Sequence, residues 1–204
     1  MTEPIIGLTG PTGAGKSTVA ALLRKNGCAV VDADILAREV TERGDCLSQL
    51  QDAFGADIVG KDSRLDRRLL AQRAFATHEN AARLNAITHP AILAESSRRI
   101  AEARKSGVKA VVLDAALLFE SGADRLCDTT VAVTAPDEVR LKRIMARDGI
   151  PEDLARARMK NQHGAAYYEE RAAYRFDGTA GWEALPEMAG DLLRRILEDL
   201  HAKG

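Results

Sequence analysis

Eight residues near the start of the chain, Gly10-Pro11-Thr12-Gly13-Ala14-Gly15-Lys16-Ser17, limit what it can fold into more than any other feature. They fit G-x-x-x-x-G-K-[ST], and their setting fits as well. Ile5-Ile6-Gly7-Leu8-Thr9 before them reads as a short buried strand. After them, Val19, Leu22 and Leu23 recur at helical spacing up to Asn26, with Gly27 as a stop. Glycines let successive backbone N–H groups curl inward, and a helix N-terminus adds unpaired N–H groups and a favourable dipole. Lys16 supplies a point charge for the β- and γ-phosphates of a nucleoside triphosphate, and the Ser17 hydroxyl can ligand Mg²⁺. A turn that bound nothing would have no use for the Lys-Ser pair.

The rest of the chain extends this beginning into an α/β architecture. Ala29-Val30-Val31 forms the next short apolar run and ends in Asp32-Ala33-Asp34, which completes a βαβ unit. From about Asp45 to Ser106 the sequence reads as several helices separated by Gly55, Gly60 and the His89-Pro90 step. Lys109 to Leu113 and Thr129 to Val133 are further strand candidates. Pro136 suits the first turn of a helix reaching Asp148, Pro151 opens another, and Trp182 to His201 carries an apolar stripe. The expected architecture is a parallel sheet flanked by helices, with an all-helical insertion in the middle.

Two groups beyond the loop suggest chemistry. Asp34 should emerge at the same carboxyl edge of the sheet as the loop, where ligands bind in open α/β sheets. There a carboxylate can take or orient the proton of an attacking hydroxyl; the plainer alternative is a cap on a helix over Ile35 to Arg43. Arg140, Arg143 and Arg147 fall within roughly 60° of one another on a helix. With Arg156, Arg158, Lys160 and nearby Gln162 they suit a lid over a triphosphate, or else a solvated basic face.

The order of motifs resembles a known family. Thr9-Gly10 … Gly13-Ala14-Gly15-Lys16-Ser17-Thr18, Asp32-Ala33-Asp34 with Ala37-Arg38, and Phe54-Gly55 look like dephospho-CoA kinases. So do Leu84-Asn85 … His89-Pro90, Asp114 … Leu117-Leu118-Phe119-Glu120 and Arg140 … Arg143 … Arg147-Asp148, in order from residue 5 to about 180. The resemblance implies a P-loop kinase fold that transfers a phosphoryl group from ATP, with Mg²⁺, to the ribose 3′-hydroxyl of dephospho-CoA. It implies a nucleotide-binding core over 1–44 and 108–204, a lid at about 138–163 and a helical acceptor-binding insertion over 45–107. Asp34 becomes the base, with Arg38 and His89 beside it in acceptor-binding segments, though a histidine before proline can equally pack at a bend. Lys16, Arg143 and Arg147 become catalytic. Gly13, Ala14, Gly15, Lys16, Ser17, Thr18 and Arg140 become the ATP site, with Ser17 on the metal. The chain departs from the usual pattern at Pro11-Thr12, Ala115-Ala116 and Asp177-Gly178, where the family tends to carry Gly-Ile, Val-Pro and Asn-x-Gly.

Other readings remain. A different small P-loop kinase, acting on a nucleoside monophosphate or shikimate, would share the loop and lid. A switch or transport ATPase would need a guanine-reading Asn-Lys-x-Asp or a Ser-Gly-Gly-rich signature, and the sequence contains neither. Twenty-nine basic against 30 acidic residues give no reason to expect a nucleic-acid or membrane partner. Cys28, Cys46 and Cys127 are widely spaced and odd in number, which fits a reducing compartment, and a cytoplasmic location is expected.

Overall fold

Strands covered on both faces need near-continuous apolar runs, and the short runs of this chain supply them. The computed structural model describes residues 3–42 and 44–202. Among these, β1 (Ile5–Thr9), β2 (Ala29–Asp32), β3 (Val111–Asp114), β4 (Thr129–Thr134) and β5 (Tyr174–Asp177) form one sheet in the order β2-β3-β1-β4-β5. Every pairing is parallel. β1 and β3 are buried at each residue. Their register sets Leu8 against Asp114, so the loops after these two strands leave the sheet side by side. β5 is absent from the expected strands because it lies at the edge: only Phe176 is buried, while Arg175 and Asp177 face solvent. A half-wet strand of four residues leaves little apolar signal.

Helix α1 (Lys16–Lys25) contributes Val19 and Leu23 to the main core, and the last helix, α9 (Leu185–His201), contributes Ala189, Leu193 and Ile196. They meet Ile6, Leu8, Val112, Val131 and Val133 from the strands. Truncating one of these large side chains to alanine costs about 2–5 kcal/mol, a large share of ordinary domain stability. α9 begins three residues later than its apolar stripe suggested, and Trp182 stays exposed ahead of it.

The chain divides into two compact units, 1–32 with 100–204 and 33–99. The second unit starts at Ala33, earlier than the insertion boundary expected at 45, because α2 (Ala33–Thr41) packs on α3 (Gly44–Phe54). Arg67, in α4 (Arg67–Ala74), also donates to the Arg38 carbonyl at 2.9 Å. Cys46, Leu50 and Phe54 recur every fourth residue on α3 and close over Ile58, Leu65, Leu70 and Ala74. Asp66 caps α4 by accepting from the Leu69 N–H at 2.9 Å.

His89-Pro90 does not break a helix. α5 runs unbroken over His78–Arg104 with Pro90 inside it. A proline there removes one backbone hydrogen bond, from position 90 to the Ala86 carbonyl, and normally kinks or ends a helix. Leu84, Ile87 and Ala91 pack on the unit's core from both sides of the proline, and this burial outweighs the lost bond. α2 likewise begins at Ala33 rather than Ile35, so Asp34 lies in its first turn instead of capping it. Arg43, expected as its last residue, lies outside the described residues.

Three shorter helices fill the 137–171 segment: α6 (Asp137–Asp148), α7 (Glu152–Lys160) and α8 (Ala165–Arg171). Pro136 caps α6 rather than occupying its first turn. Leu141, Ile144 and Ala155 form a small core of their own with Met145, Ile150 and Met159, joining α6 to α7.

Candidate active site

The glycine-rich loop spans the gap between β1 and α1, with Gly15 as the residue preceding the helix. It is tightly wound: the Ala14 N–H donates to the Pro11 carbonyl at 3.2 Å. Gly13 has φ +79°, and a Cβ there would lie 2.8 Å from the Arg140 carbonyl oxygen, so any side chain would push the loop off α6. Lys16, Ser17 and Thr18 open α1, and Ser17 and Thr18 are exposed. The loop therefore ends in a helix N-terminus that presents unpaired N–H groups and a hydroxyl at the sheet's carboxyl edge.

Lys16 forms an ion pair with Asp114, the last residue of β3. Their side chains are 16% and 8% exposed. A desolvated carboxylate beside an ammonium holds it in place far more firmly than a surface pair would. No local sequence signal assigns Asp114 a role; the adjacency of β3 to β1, which gives it one, is a property of strand order.

The three arginines of α6 converge on the loop. Arg140 is 1% exposed; its Nε donates to the Thr12 carbonyl at 2.9 Å and its Nη1 to Asp137 at 2.8 Å. Its Nη2 is buried with no hydrogen-bond partner among the described residues. Arg143 donates from Nη2 to the Gly178 carbonyl at 2.8 Å, and from Nη1 to the Gly13 and Ala14 carbonyls at 3.3 Å. It thereby joins the loop to the turn after β5. Gly178 approaches the Ala14 carbonyl so closely that no Cβ fits. Arg147 reaches the Thr12 hydroxyl at 3.5 Å and is engaged by both oxygens of Asp148. The hydrogen bond with Arg147 is the main reason that the Asp148 carboxyl is held below its ordinary range. The spacing that put these arginines on one helical face thus brings them together on one wall of the loop.

Asp34, Arg38 and His89 all belong to the helical unit. Asp34 and Arg38 stand one turn apart on α2 and are exposed. His89 is half-buried in the middle of α5, and desolvation pushes its imidazole below the usual histidine value.

No group of three or more His, Cys, Asp or Glu side chains suited to a metal ion exists among the described residues. The donor set instead fits a magnesium ion that arrives with its nucleotide. Such an ion would take most of its oxygens from phosphate and water and one or two from protein, for which the exposed Ser17 hydroxyl at the head of α1 is suited. Among the thiols, burial raises Cys28 to about 11 and Cys127 to about 12, which leaves both protonated and inert.

A model of dephospho-CoA kinases matches residues 4–180 of this sequence. The chain belongs to the dephospho-CoA kinase family. A relative from Corynebacterium glutamicum, named dephospho-CoA kinase, is 44% identical over 193 residues, covering 94% of this chain and 96% of its own. A solved structure from Thermus thermophilus is 34% identical with a TM-score of 0.83, covering 98% of this chain and 99% of that one. The dephospho-CoA kinase of Campylobacter jejuni superposes with a TM-score of 0.63 at 22% identity over 95% and 97% of the two chains, which speaks for the fold alone.

Against the dephospho-CoA kinase pattern, the three departures are locally accommodated. Pro11 still accepts the Ala14 N–H and so closes the loop. Ala115 donates to the Leu8 carbonyl at 3.0 Å, which keeps the exit of β3 beside β1. Asp177 accepts from the Thr179 N–H at 2.8 Å and from its hydroxyl at 2.6 Å, forming a compact turn around Gly178.

Proposed function

We propose that this dephospho-CoA kinase family member transfers the γ-phosphoryl group of ATP to the ribose 3′-hydroxyl of dephospho-CoA, releasing coenzyme A and ADP. The observation that carries this reading is Lys16, paired with Asp114 at the mouth of a glycine loop on which three arginines converge. A transferring phosphoryl group needs positioning and charge stabilisation more than covalent help.

In this reading the unit of 1–32 and 100–204 binds ATP, 138–163 closes over it and the unit of 33–99 holds the acceptor. The segment from Gly13 through Thr18 wraps the phosphates, with the Ala14 and Thr18 N–H groups closing the turn internally, and Lys16 exchanges Asp114 for the β- and γ-phosphate oxygens. Arg143 and Arg147 turn from carbonyl and Asp148 partners toward the transferring group, whereas buried Arg140 holds the loop and adds positive charge behind it. Asp34 orients the acceptor hydroxyl and takes its proton as the new O–P bond forms. Arg38 binds the acceptor by charge. His89, favoured as neutral imidazole by its burial, offers one donor and one acceptor nitrogen. Magnesium, held on the protein side by Ser17, would neutralise charge shared between the β- and γ-phosphates.

The test is ADP release with dephospho-CoA, AMP, GMP, CMP and shikimate as acceptors. Turnover should depend on dephospho-CoA. Strong turnover with a nucleoside monophosphate or shikimate instead would replace the substrate while keeping the kinase.

A further inference from the structure

Thr12 is held at both of its backbone groups by side chains from the 137–171 segment. Its carbonyl accepts from Arg140 on α6 at 2.9 Å, and its N–H donates to the Gln162 Oε1 at 2.8 Å. Gln162 stands just past α7, where its own N–H closes that helix on the Met159 carbonyl at 3.2 Å. The preceding loop residue, Pro11, has no N–H to offer. The first part of the phosphate loop is thus fixed by contacts from α6 and from the residues just past α7. Rotation of the Thr12 peptide would re-aim the amide of Gly13, which faces phosphate in the reading above, and disturb the Ala14 N–H bond that closes the loop on Pro11.

The charge of Gln162 matters as much as its reach. Arg140 lies buried behind the loop with its guanidinium paired to the exposed Asp137 carboxylate at 2.8 Å, so only part of its field reaches the loop. A carboxylate at position 162 would accept the Thr12 N–H at least as well, but would cancel this field where an anion must bind. A neutral amide oxygen satisfies the peptide without that cancellation. We infer that Gln162 is a positioning residue for phosphoryl transfer: it ties the end of the lid to the Thr12 peptide and, being neutral, leaves the loop electropositive for the triphosphate.

This inference rests on the ATP-dependent reading, and calorimetry with a non-hydrolysable ATP analogue and Mg²⁺ separates the two. Failure of the wild-type chain to bind would overturn that reading. With wild-type binding in hand, Gln162→Leu should weaken the analogue roughly tenfold, the scale of one unpaired peptide N–H, and leave the KM for the acceptor unchanged. Gln162→Glu keeps the oxygen and so should fold like wild type. Its affinity for the analogue should nevertheless fall about tenfold at pH 8, a loss that a purely structural role would not produce because the Thr12 N–H keeps its acceptor. Wild-type affinity in folded Gln162→Leu, or in Gln162→Glu, overturns the inference. If Gln162→Leu does not fold, the affinity of Gln162→Glu decides alone.

Discussion

Thr12 in the phosphate loop is held by Gln162 and Arg140, 150 and 128 residues away in sequence. Asp34 and Arg38 are set on one short helix, and His89 on another within the same unit. The first arrangement is a lattice of long-range hydrogen bonds around a fixed backbone. The second consists of side chains whose spacing is set by the turn of their own helix. Rigid, preorganised groups suit charge that must be stabilised without delay, while groups on a separate compact unit suit binding a bulky second substrate. If the site divides in this way, substitutions in the two regions should damage different kinetic constants.

The sharpest break comes at Lys16. Lys16→Ala removes the only charge that the loop itself supplies, and kcat/KM for ATP should fall by on the order of 10³-fold in an ADP-release assay. Near-normal turnover would end the phosphate-loop assignment. Asp34→Asn should reduce kcat by about 10²-fold while calorimetric affinity for the ATP analogue stays put. Loss of nucleotide affinity in that variant would show that the two regions are not separable. Arg38→Ala should raise the KM for dephospho-CoA about tenfold, the scale of one charged hydrogen bond, and leave the KM for ATP unchanged. The smallest effect concerns His89. Burial lowers its imidazole below 6.5, so the folded chain resists a proton that the unfolded chain accepts. Stability should therefore be complete above about pH 6.5 and decline as the pH falls through the lowered value. In His89→Gln this part of the decline in Tm between pH 7 and pH 5 should vanish.

Much of the donor side was legible in advance for a physical reason. A phosphate loop is a local device, so Gly10 to Ser17 announce it in eight consecutive residues, and strand and helix signals flank it on either side. The arginine face of α6 was equally local, since helical periodicity alone brings Arg140, Arg143 and Arg147 together. What they touch was not legible: the same spacing fits a solvated surface, and only packing put Arg140 inside. The helical unit is less legible at Pro90. Local propensity argues for a break there, whereas the buried faces of Leu84, Ile87 and Ala91 keep α5 whole. β5 escaped because an edge strand carries only half the apolar signal of a central one.

The sequence by itself determined the alternation of strands and helices and the phosphate loop, because both are set by residues close in the chain. Strand order, and with it the meeting of Lys16 and Asp114, was decided only by tertiary structure, as was the hold of Gln162 on Thr12. No local rule links residues about a hundred or more positions apart. Their chemistry arises only when the sheet sets β3 beside β1 and when Arg140 and Gln162 reach the loop from the 137–171 segment.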